Sequence, residues 1–107
     1  MTGSGGSGGG GFDSSHEDCA ALAFDTQLSS PKQAVVALLK VDDDLMVETQ
    51  TVGSTTVVVA LHQGKVAGGI ASPLIQRLRE CIASGTSYIA TVMEVNGGQV
   101  RVRVKAA

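Results

Sequence analysis

Polar and apolar residues alternate most cleanly near the C-terminus, where Val100, Val102 and Val104 are interleaved with Arg101, Arg103 and Lys105. A period of two marks a strand with one buried face and one wet face, so the valines point inward and the cations outward. Gly97-Gly98, preceded by Asn96, supplies the positive φ angles of a tight hairpin turn. With that pair as the loop, Val95 faces Val100, Glu94 faces Arg101 and Met93 faces Val102. A loop at Asn96-Gly97 slides the pairing by two and leaves the faces unchanged.

An earlier hairpin is predicted from Thr56 to His62, turning at Gln63-Gly64 and returning from Lys65 to Ala71. The unbroken run Val57-Val58-Val59 predicts a strand covered on both sides. Gly68-Gly69 in the returning arm predicts a bend or a close backbone approach, as the curvature of a small closed barrel requires. Between the hairpins, Ser72-Pro73 places an N-cap serine before a proline suited to the first helical position. Leu74, Ile75, Leu78, Cys81 and Ile82 then form one apolar stripe, and Gly85 ends the helix.

Upstream, Ala20 to Leu28 reads as a first strand, and Ser30-Pro31-Lys32-Gln33 matches a capping box opening a short helix. Val35, Val36, Leu38 and Leu39 supply its apolar face, and it ends near Lys40. Asp42 to Asp44 turns the chain into a strand from Leu45 to about Thr51, followed by a loop over Val52 to Thr55. Both Ser-Pro pairs close a strand and open a helix, which makes two strand-helix-strand units.

The predicted order is β-α-β-β-β-α-β-β: an α+β, β-rich domain folded as a small, partly closed barrel of about six strands with two short helices. Closure removes the edges that valine-rich strands would otherwise expose. A cradle-loop barrel of the double-psi kind is the alternative.

Composition adds a boundary. Seven of the 14 glycines fall between Gly3 and Gly11, with two serines among them, so residues 1–18 are expected to be a flexible Gly/Ser-rich and acidic tail and 19–107 a single domain. Phe12 to Cys19 is expected to stay mobile, with Phe12 available to anchor a partner. No segment has the length of a membrane span or the pattern of a signal peptide, which gives the expectation of a cytoplasmic protein with no membrane partner. Two cysteines, Cys19 and Cys81, make no disulfide framework and are expected as buried, inert thiols rather than a bridge.

The net charge of −2 hides an asymmetry: residues 1–51 carry a net −6 and residues 52–107 a net +4. The basic half contains Arg101, Arg103 and Lys105 on one strand face, with Arg77 and Arg79 on the preceding helix. These five are the anion or nucleic-acid-binding candidates, because guanidinium groups suit bidentate phosphate contact and small barrels track single strands with such grooves. Only Phe12, Phe24 and Tyr88 are aromatic, a small supply of stacking platforms.

Signs of catalysis are weak. His16 and Cys19 lack a second ligand pair for zinc, Asp42 to Asp44 lacks the alternating ligands of a calcium loop, and Gly64-Lys65 lacks the rest of a phosphate loop. His62 flanks a turn without an identifiable orienting acid. No catalytic residue, metal ligand or cofactor is therefore assigned.

The series from Asp44-Leu45-Met46-Val47 through Thr56-Val57-Val58-Val59-Ala60-Leu61 and Lys65-Val66-Ala67-Gly68-Gly69-Ile70 to the helix at Pro73 resembles the HIRAN domain family. The resemblance covers roughly residues 20–105 as an order of elements. It implies a modified OB-like barrel that binds DNA, including single-strand ends, as a module attached to larger enzymes. Gly53-Ser54-Thr55-Thr56 replaces the family's Asp-x-Asn-Ala type segment, and its tyrosines near the first strand are absent, so no binding residue is carried over. The expected function is a small non-catalytic binding module of the HIRAN/OB kind, whose partner is nucleic acid, single-stranded above all, or a protein. The alternatives are a protein-interaction adaptor that uses the N-terminal tail, or a small barrel enzyme.

Overall fold

The computed structural model describes residues 18–107. Six strands and two helices follow the expected order: β1 (Ala23–Ser29), α1 (Gln33–Val36), β2 (Asp44–Val52), β3 (Thr55–His62), β4 (Lys65–Ile70), α2 (Ile75–Ala83), β5 (Tyr88–Asn96) and β6 (Gln99–Ala106). The strands close into a barrel in the spatial order β1-β4-β3-β2-β5-β6, with β6 returning to β1. Every neighbouring pair is antiparallel, so neither strand-helix-strand unit serves as a parallel crossover.

The alternation along β6 is realised in full: Val100, Val102 and Val104 are buried, while Arg101, Arg103 and Lys105 are exposed. Leu45, Val47, Val58, Ala60, Ala90 and Val92 join them from the other strands. Val35, Val36 and Leu39 from the α1 region, and Leu78 and Cys81 from α2, complete the core. Gln33 at the start of α1 reaches the β5–β6 turn, donating from Nε2 to the Gly98 carbonyl at 3.3 Å, whereas α2 is joined to the chain entering β5. The two helices therefore sit at opposite ends of β5.

Turn chemistry agrees with the backbone. Gly97 and Gly98 both have positive φ, and the hairpin takes the first of the two expected registers, with Val95 opposite Val100 and Glu94 opposite Arg101. One detail differs: the register shifts between Val92 and Glu94, so Val92 and not Met93 faces Val102. Met93 is the extra residue of a β-bulge and lies exposed. The predicted loop over Val52 to Thr55 contracts to a two-residue turn, because Val52 pairs with Thr55.

The glycine pair in β4 marks a close approach, as its place in a strand suggests. A Cβ built on Gly68 would lie 2.9 Å from the Leu28 Cβ and 3.1 Å from the Ser29 carbonyl oxygen. This is the seam of the barrel, where β1 and β4 pair only through Leu28 with Ile70 and Ser29 with Gly69. The absence of a side chain at Gly68 lets the strands meet.

Four expectations that involve the N-terminal half are corrected. Residues 18–21 are helical, so the first strand starts at Ala23 and not Ala20. The capping box does not form: Ser30 has a φ of 46°, α1 begins only at Gln33, and no side chain caps it. The Lys32 N–H instead donates to the Ala67 carbonyl of β4 at 2.8 Å, a tertiary bond that outweighs the local cap. Leu38, assigned to the apolar face, is 57% exposed because the helix ends before it.

The fourth correction concerns the cysteines. Cys19 and Cys81 are joined by a disulfide with their Cα atoms 5.5 Å apart. Asp18 and Cys19, assigned to a mobile stretch, are thereby held against α2. The Tyr88 hydroxyl donates to the Cys19 carbonyl at 2.5 Å, and the Arg77 guanidinium pairs with the Asp18 carboxylate at 3.2 Å.

Candidate anion-binding face and the surfaces around it

The β6 cations lie on the outside of the β1-β6-β5 sheet. Arg101, Arg103 and Lys105 project from its middle strand at alternate positions, about 6.8 Å apart along the strand. Register places Gln27 and Glu94 beside Arg101, Asp25 and Thr91 beside Arg103, and Ala23 and Ile89 beside Lys105. Cations thus run down the centre, with one acid on each flanking strand.

Arg103 is the restrained member of the row. Its Nε and one terminal nitrogen donate to the two oxygens of Asp25 at 2.8 and 3.2 Å, a bidentate fork. The hydrogen bond from Arg103 is the main reason the Asp25 carboxyl is held below its ordinary range, with smaller help from the charges of Arg103 and Arg101 against a desolvation effect that raises it. The same bond holds the Arg103 guanidinium above its ordinary value. Both groups are exposed, so water and salt screen the pair.

Arg101 borders a polar cleft of about 320 Å³ that is also lined by Gln27, Glu94, Asn96 and Gln99. The Gln27 side chain donates to the Gln99 side-chain oxygen at 3.1 Å across it. The cleft offers a guanidinium, a carboxylate and amide groups, a set suited to a polar ligand rather than an apolar one.

The helix cations are not gathered with this row. Arg77 is half-buried and paired with Asp18 beside the disulfide. Arg79 lines a separate cleft with Thr49 of β2 and Thr56 of β3, strands that lie two and three places from β6 around the barrel. The five candidates therefore divide into a β6 row and two distinct helix positions. Helical spacing brought Arg77 and Arg79 together in sequence, but two residues apart on a helix do not share a face.

Neither described aromatic residue offers a stacking surface. Phe24 is half-buried against the core, and Tyr88 is buried. Burial raises the Tyr88 phenol above its ordinary value, opposed by the positive charge of Arg77. Phe12 and His16 lie outside the described residues. Half-buried His62 ends β3 and pairs with Lys65 across the turn, with no acid in that register position. Among the described residues no group of three His, Cys, Asp or Glu side chains is placed to hold a metal ion, and no helix is long and apolar enough to cross a membrane.

Sequence reading missed two features near α2. One is the Cys19–Cys81 bridge, for which spacing carried no signal. The other is that the β2–β3 hairpin runs past its neighbours, a property of register that appears only once all six strands are paired. Comparison with known proteins supplies no further guide, since no family model, no curated protein and no solved structure matches this chain.

Proposed function

We propose that this domain is a non-catalytic binding module that contacts a single-stranded nucleic acid through the outer face of β6. The observation that carries the reading is the row of three exposed cations at alternate positions on one strand. A rigid strand holds them at a repeating distance, so an extended phosphate backbone lying along β6 meets a positive charge at each step. The cleft beside Arg101 provides amide groups for a base or sugar edge. The HIRAN-like order of elements supports the same reading, because that resemblance implies a DNA-binding barrel.

Without a described stacking aromatic, contacts to phosphate supply most of the affinity. Binding is then weak in sequence preference and steep in salt dependence, with a slope near −0.7 per phosphate contact for a single strand. The test is a titration of the labelled protein with an oligothymidylate and a duplex of equal length, read from backbone amide shifts at two salt concentrations. Shifts along Arg101 to Lys105, and a shallower salt slope in Arg101→Gln and Lys105→Gln, are the expected result. An absence of shifts on β6 at low salt overturns the reading.

A second reading, a protein-interaction adaptor, rests on a different observation. Leu38, Val41 and Met46 are each more than half exposed within nine residues of chain. Single exposed apolar residues are ordinary, and three so near in sequence are the feature that favours a contact surface. A version in which the N-terminal tail is the docking element is tested by deleting residues 1–17, which leaves Asp18 and the disulfide in place; unchanged partner binding would eliminate it.

A further inference from the structure

The barrel is closed at its middle but not along every strand. β2 pairs with β3 from Met46 to Val52, yet its other side pairs with β5 only from Asp44 to Val47. Alternate residues between Glu48 and Val52, those whose backbone N–H and C=O point away from β3, therefore have no backbone partner on that side among the described residues. Such an edge is a template for another strand, and proteins commonly guard one with lysine, proline or a bulge. Here the chain from Thr49 through Leu61 contains no charged residue and no proline, and the β2–β3 pairing runs without a register shift.

The edge opens onto a groove. β5 leaves β2 at Tyr88, and the chain before it diverges toward α2. The space between them forms a cleft of about 400 Å³ running from Met46 to Thr49, with Ile82, Gly85 and Thr86 on its far side. A second cleft of about 400 Å³ continues it between Thr49, Thr56 and the Arg79–Ala83 face of α2. Thr49 and Ile82 line both, so the two clefts adjoin.

We infer that this groove between β2 and α2 binds an extended peptide segment, which adds as a strand to the free edge of β2 at Glu48 to Val52. Five residues of strand span about 17 Å, and main-chain hydrogen bonds hold the guest while alternate side chains select it. Ile82, Gly85 and Thr86 wall the far side of the groove, so the guest lies between β2 and α2. Among the groove's charged side chains, Glu48 and Glu80 outnumber Arg79, so the guest carries basic residues and a nucleic acid is disfavoured. An apolar side chain at its alternate position packs against Ile82, which lines both clefts.

The test uses the full chain and two capped octapeptides, one alternating valine with lysine and one alternating valine with glutamate. Amide shifts and hydrogen exchange are followed together. Binding of the lysine peptide is expected to move Met46, Thr49 and Ile82 and to protect alternate amides between Glu48 and Val52. The glutamate peptide should bind at least ten-fold more weakly. The double variant Glu48→Lys with Glu80→Lys, both exposed and so compatible with the fold, should lose at least ten-fold in affinity at an unchanged unfolding midpoint. Equal binding of the two peptides, shifts confined to β6, self-association through the free edge without peptide, or no shift at millimolar peptide would each overturn the inference.

Discussion

Cys19 and Cys81 are bonded across 62 residues of chain, and the bond fastens the helical turn at 18–21 to α2. A link closing so long a loop restricts the unfolded chain by about 4 kcal/mol in the chain-entropy description. Reduction, or the variant Cys81→Ser, should therefore lower stability by about 2–4 kcal/mol and move the urea midpoint down. Unfolding curves with and without a dithiol reductant measure this. Superimposable curves would mean that the bridge makes no net contribution.

The bridge also sets up a direct check on where the protein works. Structural disulfides persist in oxidising compartments and are rare in the cytosol, whereas the sequence led to the expectation of a cytoplasmic protein. Alkylation of the native protein immediately on cell lysis distinguishes them: the bonded pair resists labelling, and two free thiols take up label after mild unfolding.

Asp25 and Arg103 yield a pH prediction. The carboxyl of Asp25 is held below its unfolded value by the Arg103 hydrogen bond. A group shifted in this direction contributes stability above its unfolded pKa, and that contribution is lost as pH falls through the folded value. The effect belongs to the acid range below about pH 4 and is small because both side chains are exposed. A carboxyl titration followed by NMR should show Asp25 moving back toward its ordinary value in Arg103→Gln and in concentrated salt.

Tyr88 acts at the other end of the pH scale. Its phenol is raised by burial and donates to the Cys19 carbonyl. The folded state therefore retains the proton longer than the unfolded state, and stability present below the unfolded pKa of about 10 is lost as pH rises through the folded value. Ultraviolet difference titration should place phenolate formation above the ordinary range. Tyr88→Phe should remove that feature at a cost of about 1 kcal/mol for the lost hydrogen bond.

Gly68 and Gly69 should behave differently despite being neighbours. A Cβ at Gly68 meets the Leu28 Cβ and a backbone carbonyl, neither of which yields easily, whereas at Gly69 the nearest atom is the rotatable Ser29 Oγ at 2.8 Å. Gly68→Ala is expected to destabilise by about 1–3 kcal/mol, and Gly69→Ala by less. Thermal unfolding of the two variants side by side decides the point.

Elements written in local chemistry were legible in the sequence. The valine-arginine alternation of β6, the Gly97-Gly98 turn and the apolar stripe of α2 each state a period or a backbone conformation directly. What was illegible depended on distant partners. The Ser30 cap yielded to a bond between Lys32 and Ala67, Met93 was displaced by a bulge, and Cys19 met Cys81 through folding rather than spacing. The candidate site divided in the same way: the β6 row was readable as a strand face, while the separation of Arg79 from it required the order of strands around the barrel.

The seam between β1 and β4 has a consequence for motion. Five residue pairs hold β1 to β6, but only two hold it to β4. The cylinder is thus a curled ribbon fastened by a short latch, and its lowest-energy excursion is an unlatching at Leu28–Ile70 that leaves the other ladders intact. Amides at the latch should exchange with solvent through this partial opening, ahead of those in the β5–β6 ladder, which exchange only when the whole domain unfolds.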